Sequence, residues 1–288
     1  NVLMYRYTSQ SDMIIGSPIA GREHSDLEDQ IGFYVNTLAL RNEIDPELKI
    51  DLWYHKNFST DNLYGSSLEK LANSKVLIVG LGGVGSFAAE FIARAGIGKL
   101  TIIDGDIVDV TNKNRQLPAL TSTIGMKKAD LMAARIKDIN PDVSLTVIDT
   151  FQRPEHTKEL VSSEKFDYVM DCIDSITPKV YLIKTCVEQG QRLISSMGAG
   201  GKMDASSVMV ADIKDTYNDP FARLVRKRLH KYGIYTGFKS VFNTELVHRD
   251  SVKLTDGSNF KRSFYGTISY MPALFGLRMA AEVIEDLR

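Results

Sequence analysis

The run Gly80-Leu81-Gly82-Gly83-Val84-Gly85 restricts the fold of this 288-residue chain more than any other feature. It follows a short apolar run, Lys75–Val79, and opens an amphipathic stretch, Val84–Ala95. Glycines let the backbone turn tightly and approach a phosphate, and the free N–H groups of a helix N-terminus favour anions. We therefore predict a strand, a phosphate-binding loop and a helix. A tight turn that binds nothing is the less favoured alternative.

The chain continues as an alternation of strand-like and helix-like segments. The predicted strands are Lys75–Val79, Leu100–Asp104, Ser144–Asp149, Tyr168–Cys172 and Arg192–Ser196. They are short and apolar, as strands buried on both faces should be. The predicted helices are Val84–Ala95, Lys127–Ile139, Glu155–Val161, Pro178–Gln189 and a buried amphipathic Met271–Val283. This order predicts an α/β fold with a doubly wound, mainly parallel sheet and a Rossmann-like nucleotide-binding half.

Polar residues follow the predicted strand ends, where ligands of such sheets bind. Asp104 ends the second strand, 19 residues after Gly85, and can accept hydrogen bonds from a ribose. Arg115 can hold phosphate oxygens, Lys128 supplies a point charge, and Asp174 can bind Mg²⁺. These groups favour ATP chemistry over an NAD-dependent oxidoreductase, which remains an alternative together with a catalytically silent binding module.

Several motifs carry a resemblance to known enzymes. The glycine-rich loop, Asp104-Gly105-Asp106, Asn112–Gln116, Lys128 and Asp174 resemble the ThiF–HesA–MoeB adenylating superfamily, which includes the ubiquitin-activating enzymes. Longer stretches resemble the tRNA threonylcarbamoyladenosine dehydratases, namely Arg94–Leu120, Lys137–Asp142, Asp171–Lys179, Ser195–Asp204 and Gly266–Gly276. The similarity runs from about Trp53 to the C-terminus.

The resemblance implies ATP-dependent, cyclising dehydration of threonylcarbamoyladenosine in tRNA, through adenylation of the substrate carboxylate. Another adenylating activator, acting on the C-terminus of a sulfur-carrier or ubiquitin-like protein, is the alternative. By position, the resemblance implies that the backbone at Gly80, Gly82, Gly83 and Gly85 binds the phosphates. Asp104 would bind the ribose, and Asn112, Arg115 and Lys128 would contact the triphosphate. Mg²⁺ falls to Asp174, with Ser175 beside it, and the catalytic residues are Arg115, Lys128 and Asp174. A homodimer is implied, and a sulfur-relay protein partner is left open.

Both cysteines, Cys172 and Cys186, lie in apolar surroundings, and no CxxC pair is present. We expect core residues rather than nucleophiles, in a reducing, cytoplasmic setting. Without a covalent acceptor on the protein, the activated acyl group must be captured elsewhere, which suits the dehydratase.

A basic segment offers a contact for tRNA phosphates. The cations are Arg223, Arg226, Lys227, Arg228 and Lys231. On a helix Arg223, Lys227 and Lys231 would share one stripe, while Leu224, Val225 and Leu229 would face inward. A solvated helix face without a partner is the alternative reading.

The first 50 residues differ in character from the rest. They carry a net charge of −4, whereas the other 238 carry +3, so the overall charge of −1 does not exclude an RNA partner. Residues 1–42 resemble part of a nonribosomal peptide synthetase condensation domain but lack its paired histidines. We expect residues 1–50 to be a foreign segment. Because the chain begins at Asn1, this segment would be a fragment or an artificial join. Residues 51–212 would form the adenylating core. Residues 213–288 would complete the same domain and bind tRNA.

Two positions depart from the resembled dehydratases. Lys56 stands where an arginine often reaches the ATP site of a second subunit, and Asn243 stands where close relatives tend to have serine. Lysine keeps the charge but loses the bidentate fork.

Overall fold

Residues 1–63 and 64–288 form two separate units in the computed structural model. It describes residues 12–20, 35–43, 67–151, 154–247, 252–254 and 263–288. In the first unit β1 (Asp12–Ala20) pairs antiparallel with β2 (Val35–Glu43). The sequence favours a turn at Gly16-Ser17-Pro18, and this prediction is wrong, because these residues lie inside β1 opposite Ala39, Leu38 and Thr37. Pro18 is tolerated because each strand of a two-stranded sheet has a free edge.

A seven-stranded sheet forms the centre of the second unit. Its strands are β3 (Lys75–Val79), β4 (Lys99–Ile103), β5 (Ser144–Ile148), β6 (Tyr168–Asp171), β7 (Leu193–Ser196), β8 (Val208–Asp212) and β9 (Lys239–Asn243). The spatial order is β5-β4-β3-β6-β7-β9-β8, and all pairs are parallel except β8 with β9. The predicted doubly wound, mainly parallel sheet is confirmed.

Helices follow the strands as the alternating pattern predicts. They are α1 (Ser67–Asn73), α2 (Gly85–Arg94), α3 (Lys128–Ile139), α4 (Pro154–Ser163), α5 (Ile176–Glu188), α6 (Pro220–Leu229) and α7 (Tyr270–Leu287). A short antiparallel pair, β10 (Val252–Leu254) with β11 (Ser263–Tyr265), precedes α7. Within the described ranges, no helix has both the length and the apolarity needed to cross a membrane.

Alternate residues of the central strands enter two apolar cores, one on each face of the sheet. On β3, Val76 and Ile78 pack with α2, α3 and α7, whereas Leu77 and Val79 pack on the face covered by α5 and α6. Burial on both faces was expected for all five predicted strands. That is wrong for β5, which lies at the sheet edge and exposes most of its residues.

Candidate nucleotide-binding site

The glycine-rich loop connects β3 to α2, as the sequence predicts. Gly80 has a φ of +93°, and its N–H donates to the carbonyl of Ile103 at 2.8 Å. A Cβ on Gly85 would lie 1.7 Å from the carbonyl oxygen of Gly80, so only glycine fits there. No described side chain caps the N-terminus of α2. The free N–H groups there are available for an anion.

The strand register brings the predicted site residues to one edge of the sheet. Val79 pairs with Ile103 of β4 on one side and with Asp171 of β6 on the other. β4, β3 and β6 are neighbours in the sheet. The residues that follow them, namely Asp104, the glycine-rich loop and Asp174, therefore lie side by side. This edge is where a doubly wound sheet binds its ligands.

Asp104 holds the glycine-rich loop against the segment that follows β4. Its Oδ2 accepts the N–H of Leu81 at 2.6 Å, and its Oδ1 accepts the N–H of Asp106 at 2.8 Å. Burial raises the pKa of Asp104, while the Lys128 ammonium and the two N–H groups oppose the rise. A carboxylate has about four lone-pair positions, so a ribose hydroxyl can still bind.

Lys128 begins α3 with a buried side chain aimed at the same edge. Its side chain is 5% exposed, and Nζ lies 2.9 Å from Oδ2 of Asp106. The backbone N–H of Lys128 also donates to the carbonyl of Asp106, at 3.0 Å. Asp106 therefore positions the lysine, a role that was not predicted from the sequence. Because an ammonium has three donors, Lys128 retains capacity for a phosphate oxygen.

The segment between β4 and α3 brings Arg115 and Gln116 against the glycine-rich loop. A Cβ on Gly83 would lie 3.5 Å from Cγ of Arg115, and one on Gly82 would lie 3.6 Å from Nε2 of Gln116. Arg115 Nη1 donates to the carbonyl of Thr111 and to Oδ1 of Asn114. Near the start of this segment, Oδ1 of Asn112 accepts the N–H of Asp109 at 3.1 Å.

Asp174 is exposed on the loop between β6 and α5, and the Ser175 hydroxyl donates to its Oδ1 at 3.3 Å. Behind this loop lies a fully buried cluster that was not predicted from the sequence. Lys179 Nζ lies 2.6 Å from Oδ2 of Asp171 and 3.1 Å from Oγ of Ser195. The only hint of this cluster in the sequence is that Asp171 and Lys179 are the two ends of the stretch Asp171–Lys179, which resembles the dehydratases.

Residues 54–287 match the ThiF family, and residues 1–53 match the Condensation domain. The first match spans most of the chain. The chain belongs to the ThiF family. Its second unit has the glycine-rich loop between strand and helix and the mainly parallel sheet that the sequence predicts. The Condensation match confirms the resemblance noted for the first 42 residues.

ThiF-family relatives resemble this chain over most of their length. The tRNA threonylcarbamoyladenosine dehydratase of Bacillus subtilis (strain 168) is 42% identical over 227 residues, 76% of this chain and 89% of that protein. The crystal structure of the E. coli tRNA N6-threonylcarbamoyladenosine dehydratase with ATP has a TM-score of 0.74 at 36% identity, covering 82% of this chain and 95% of that one. The ThiS adenylyltransferase of Escherichia coli (strain K12) is 34% identical over 152 residues, 52% of this chain and 60% of that protein.

The cysteines of this ThiF-family chain lie in its core, as predicted. Cys172 and Cys186 are free and buried, and burial raises the pKa of both thiols. A protonated, buried thiol is a poor nucleophile. Among the described residues, no group of three or more His, Cys, Asp or Glu side chains could hold a metal ion.

The basic segment is a helix followed by a 3-10 turn. Asp219 caps α6 by accepting the N–H of Ala222 at 2.9 Å. The helix ends at Leu229, so Lys231 lies in the turn His230–Tyr232 and not on the same helical stripe as Lys227. The exposed cations are Arg223, Lys227, Arg228 and Lys231.

Arg226 on α6 has a structural contact of its own, and Leu224 does not face inward as predicted. Arg226 is partly buried, and its Nη1 donates to the carbonyl of Thr216 at 2.7 Å, so the cation holds the preceding turn. Leu224 is exposed, so the prediction that it faces inward is wrong. Ala222, Val225 and Leu229 already complete the buried face at spacings of three and four.

Asn243, one of the two departures, is a buried structural residue. Its Nδ2 donates to the carbonyl of Asp204 at 2.8 Å, and its Oδ1 accepts the N–H of Glu245 at 2.7 Å. Lys202 donates to the carbonyl of Asn243, and its Nζ lies 3.8 Å from Oδ2 of Asp219. Burial lowers the pKa of Lys202 and raises that of Asp219. Lys56, the other departure, lies outside the described residues.

Proposed function

We propose that this chain is an ATP-dependent tRNA threonylcarbamoyladenosine dehydratase. The observation that carries the proposal is the intact set of ATP-directed groups at one sheet edge, in a chain that covers 89% of a dehydratase at 42% identity. The E. coli dehydratase has been solved with ATP and with AMP, the substrate and product of an adenylating reaction. The sulfur-carrier alternative is not favoured, since the similarity to the ThiS adenylyltransferase covers only 52% of this chain.

The reaction begins with a carboxylate oxygen of the threonylcarbamoyl group attacking the α-phosphorus of ATP. The new P–O bond replaces the bond to pyrophosphate, which leaves. The resulting acyl-adenylate then closes onto the carbamoyl group of the same side chain and releases AMP, which retains the attacking oxygen. Proximity of the two reacting groups makes a protein nucleophile unnecessary. This agrees with the burial of both cysteines.

In this proposal the backbone of the glycine-rich loop and the N-terminus of α2 bind the phosphates. Gly80, Gly82, Gly83 and Gly85 form that cradle, and Asp104 accepts a hydrogen bond from the ribose. Arg115 and Lys128 stabilise the negative charge that develops on the departing phosphates, and Asn112 contacts the triphosphate.

Mg²⁺ suits the residues at Asp174. Mg²⁺ in nucleotide sites is held by one or two carboxylates together with substrate phosphates, so a cluster of protein ligands is not needed. Asp174 is an exposed carboxylate at the ligand-binding edge, with the Ser175 hydroxyl beside it. When bound, Mg²⁺ would neutralise charge on the phosphates and on the leaving pyrophosphate.

The substrate is too large for the nucleotide site alone, so the proposal assigns tRNA phosphates to the basic segment. Arg223, Lys227, Arg228 and Lys231 are exposed there, and residues 213–288 would form the tRNA-binding part of the enzyme. Arg226 belongs to the same proposal, although its Nη1 holds the turn before α6. The enzyme would act in the cytoplasm, where tRNA resides.

A homodimer is the proposed oligomeric state. Exposed apolar side chains between β4 and α3 support self-association: Ile107, Val110, Leu120, Ile124 and Met126. A sulfur-relay protein remains a proposed partner. Light scattering of the purified chain measures the oligomeric state directly.

The proposal is tested by incubating the enzyme with ATP, Mg²⁺ and tRNA that carries threonylcarbamoyladenosine. AMP release should require the modified tRNA and should fall at least about a hundredfold in Asp174→Ala, since this variant loses the carboxylate that would hold the charge-neutralising Mg²⁺. A chain lacking residues 1–50 serves as the comparison and should keep the activity. No AMP above that seen with unmodified tRNA would contradict the proposal.

A further inference from the structure

Two pairs of exposed aromatic side chains lie near the end of α6. This aromatic cluster consists of one pair, Tyr181 on α5 with Tyr232 in the 3-10 turn, and a second pair, His230 in that turn with Tyr235 after it. The three tyrosines are 38%, 44% and 58% exposed, and His230 is exposed as well. Ring centroids lie 6.4 Å apart for Tyr181 and Tyr232, and 4.7 Å apart for His230 and Tyr235.

The backbone that carries the cluster is fixed by its neighbours in the core. Leu229 and Ile234 on either side of the turn are buried, and the N–H of Ile234 donates to the carbonyl of Leu229 at 3.2 Å. Gly233 ends the turn in the left-handed region, with a φ of +74°. The rings are therefore held outward by a defined turn between two buried anchors.

Cations surround the cluster. Lys184 Nζ lies 5.6 Å from the centroid of the Tyr232 ring, and Lys227, Arg228 and Lys231 are exposed on the adjoining helix and turn. The chain has no acidic residue between Pro220 and Asn243. Two acidic groups lie nearby. Glu188 is hydrogen-bonded to Lys184, and Asp212 accepts hydrogen bonds from Thr236 and Gly237.

We propose that the aromatic cluster binds unpaired bases of an RNA loop by stacking, while the adjoining cations bind its phosphates. The inference deepens the proposed function, on which it rests, by naming a contact for unpaired bases of the tRNA. Every base has a π-face, and RNA loops present bases that stack on aromatic side chains. Exposed rings next to a cationic, acid-free segment combine the two features of a single-strand binding surface.

The test compares two RNA probes, a hairpin with an anticodon-type loop and a fully paired duplex of similar length. Tyr235→Ala and Tyr232→Ala should each bind the hairpin at least about fivefold more weakly, which corresponds to about 1 kcal/mol for one lost stacked base. Duplex binding and the salt dependence of hairpin binding should stay unchanged, because neither ring contacts a phosphate.

Matched variants separate stacking from charge and from folding. Tyr235→Phe and Tyr232→Phe keep the ring and should bind the hairpin as the parent chain does. Lys227→Ala should weaken both RNAs and lower the slope of log affinity against log salt by about one. Because the rings are exposed, the alanine variants should keep the parent melting temperature.

The proposal is overturned if Tyr235→Ala and Tyr232→Ala both bind the hairpin as tightly as the parent, or lose hairpin and duplex equally. Release of AMP with modified tRNA is measured on the same preparations. A parent that releases no AMP, with ring variants that bind the hairpin more weakly, contradicts the dehydratase and supports the stacking surface. A parent that releases AMP while the ring variants bind normally contradicts the stacking surface alone.

Discussion

Nζ of Lys179 lies 2.6 Å from Oδ2 of Asp171, and both side chains are fully buried. Asp171 ends β6, Lys179 lies on α5, and the loop between them carries Asp174. The Ser195 hydroxyl donates to Oδ2 of Asp171 at 2.6 Å, and Oδ1 of Asp171 accepts the N–H of Ile173 at 3.1 Å. This ion pair ties the start and end of the candidate metal-binding loop to the strand beneath it.

Lys179→Met is expected to lower the free energy of unfolding by about 3–5 kcal/mol, because it leaves the Asp171 carboxylate buried without its cation. The double variant Asp171→Leu/Lys179→Met should lose less than the sum of the two single variants. Thermal unfolding measures these losses of stability. Because the chain has two units, the transition to follow is the one that ATP shifts, which belongs to the nucleotide-binding unit. Additive losses would mean that the pair is not coupled.

Gly85→Ala is expected to abolish the ATP-induced rise in melting temperature. The added Cβ would lie 1.7 Å from the carbonyl oxygen of Gly80, so the phosphate loop must move. Gly190→Ala is the matched control. Gly190 has a φ of +65° but open space around its Cα, so the variant should lose only about 1–2 kcal/mol and keep the full ATP response.

The ion pairs of Glu90 should make the protein less stable in acid. The carboxylate lies on α2 and accepts hydrogen bonds from Arg94 and from Arg135 of α3. Burial acts to raise the pKa of Glu90, but the two arginines outweigh it and the pKa is lowered. A lowered folded-state pKa stabilises above the unfolded value, about 4.3, and this contribution disappears as pH falls through the folded value.

The matched variant for this pH effect is Glu90→Gln. It should be less stable than the parent at pH 7, and the difference should shrink toward zero as the pH falls below about 4. Urea unfolding across that range measures both chains. A difference that does not change with pH would show that packing, and not the charge of Glu90, links the two helices.

The same substitution should affect stability at Arg226 but not at Arg223, although the two arginines are one turn apart on α6. Arg226→Gln removes the hydrogen bond to the carbonyl of Thr216 and should lower stability by about 1.5–3 kcal/mol, the range for bonds from charged donors. Arg223→Gln should leave stability unchanged and weaken tRNA binding. Equal stability of the two variants would contradict the structural role given to Arg226.

The sequence predicted local features of the fold better than relationships between segments. Helical patterns placed the first four predicted helices within two residues of their observed ends, whereas α7 runs to Leu287, four residues beyond the predicted Val283. The exposure of β5 was missed because strand order is not encoded in any one strand. β8 and β9 were not predicted, and the direction of their pairing depends on connections across the sheet.

The candidate site divides in the same way. Glycines and charged residues after strand ends were visible because their spacing is local. The contact of Asp171 with Lys179 and Ser195 was not, because it requires β6 and β7 to be neighbours. Leu224 was misassigned because a helical wheel does not show which face the core covers, and the aromatic cluster depends on how α5 and the turn after α6 meet.

The fate of one carboxylate oxygen atom decides between the proposed reaction and its alternatives. tRNA carrying threonylcarbamoyladenosine labelled with ¹⁸O in its carboxylate is incubated with the enzyme, ATP and Mg²⁺, and the AMP and the nucleoside are weighed by mass spectrometry. The proposed reaction predicts ¹⁸O in AMP, and a nucleoside that is lighter by one water because it has lost one labelled oxygen. Unlabelled AMP, or a nucleoside of unchanged mass, would contradict it.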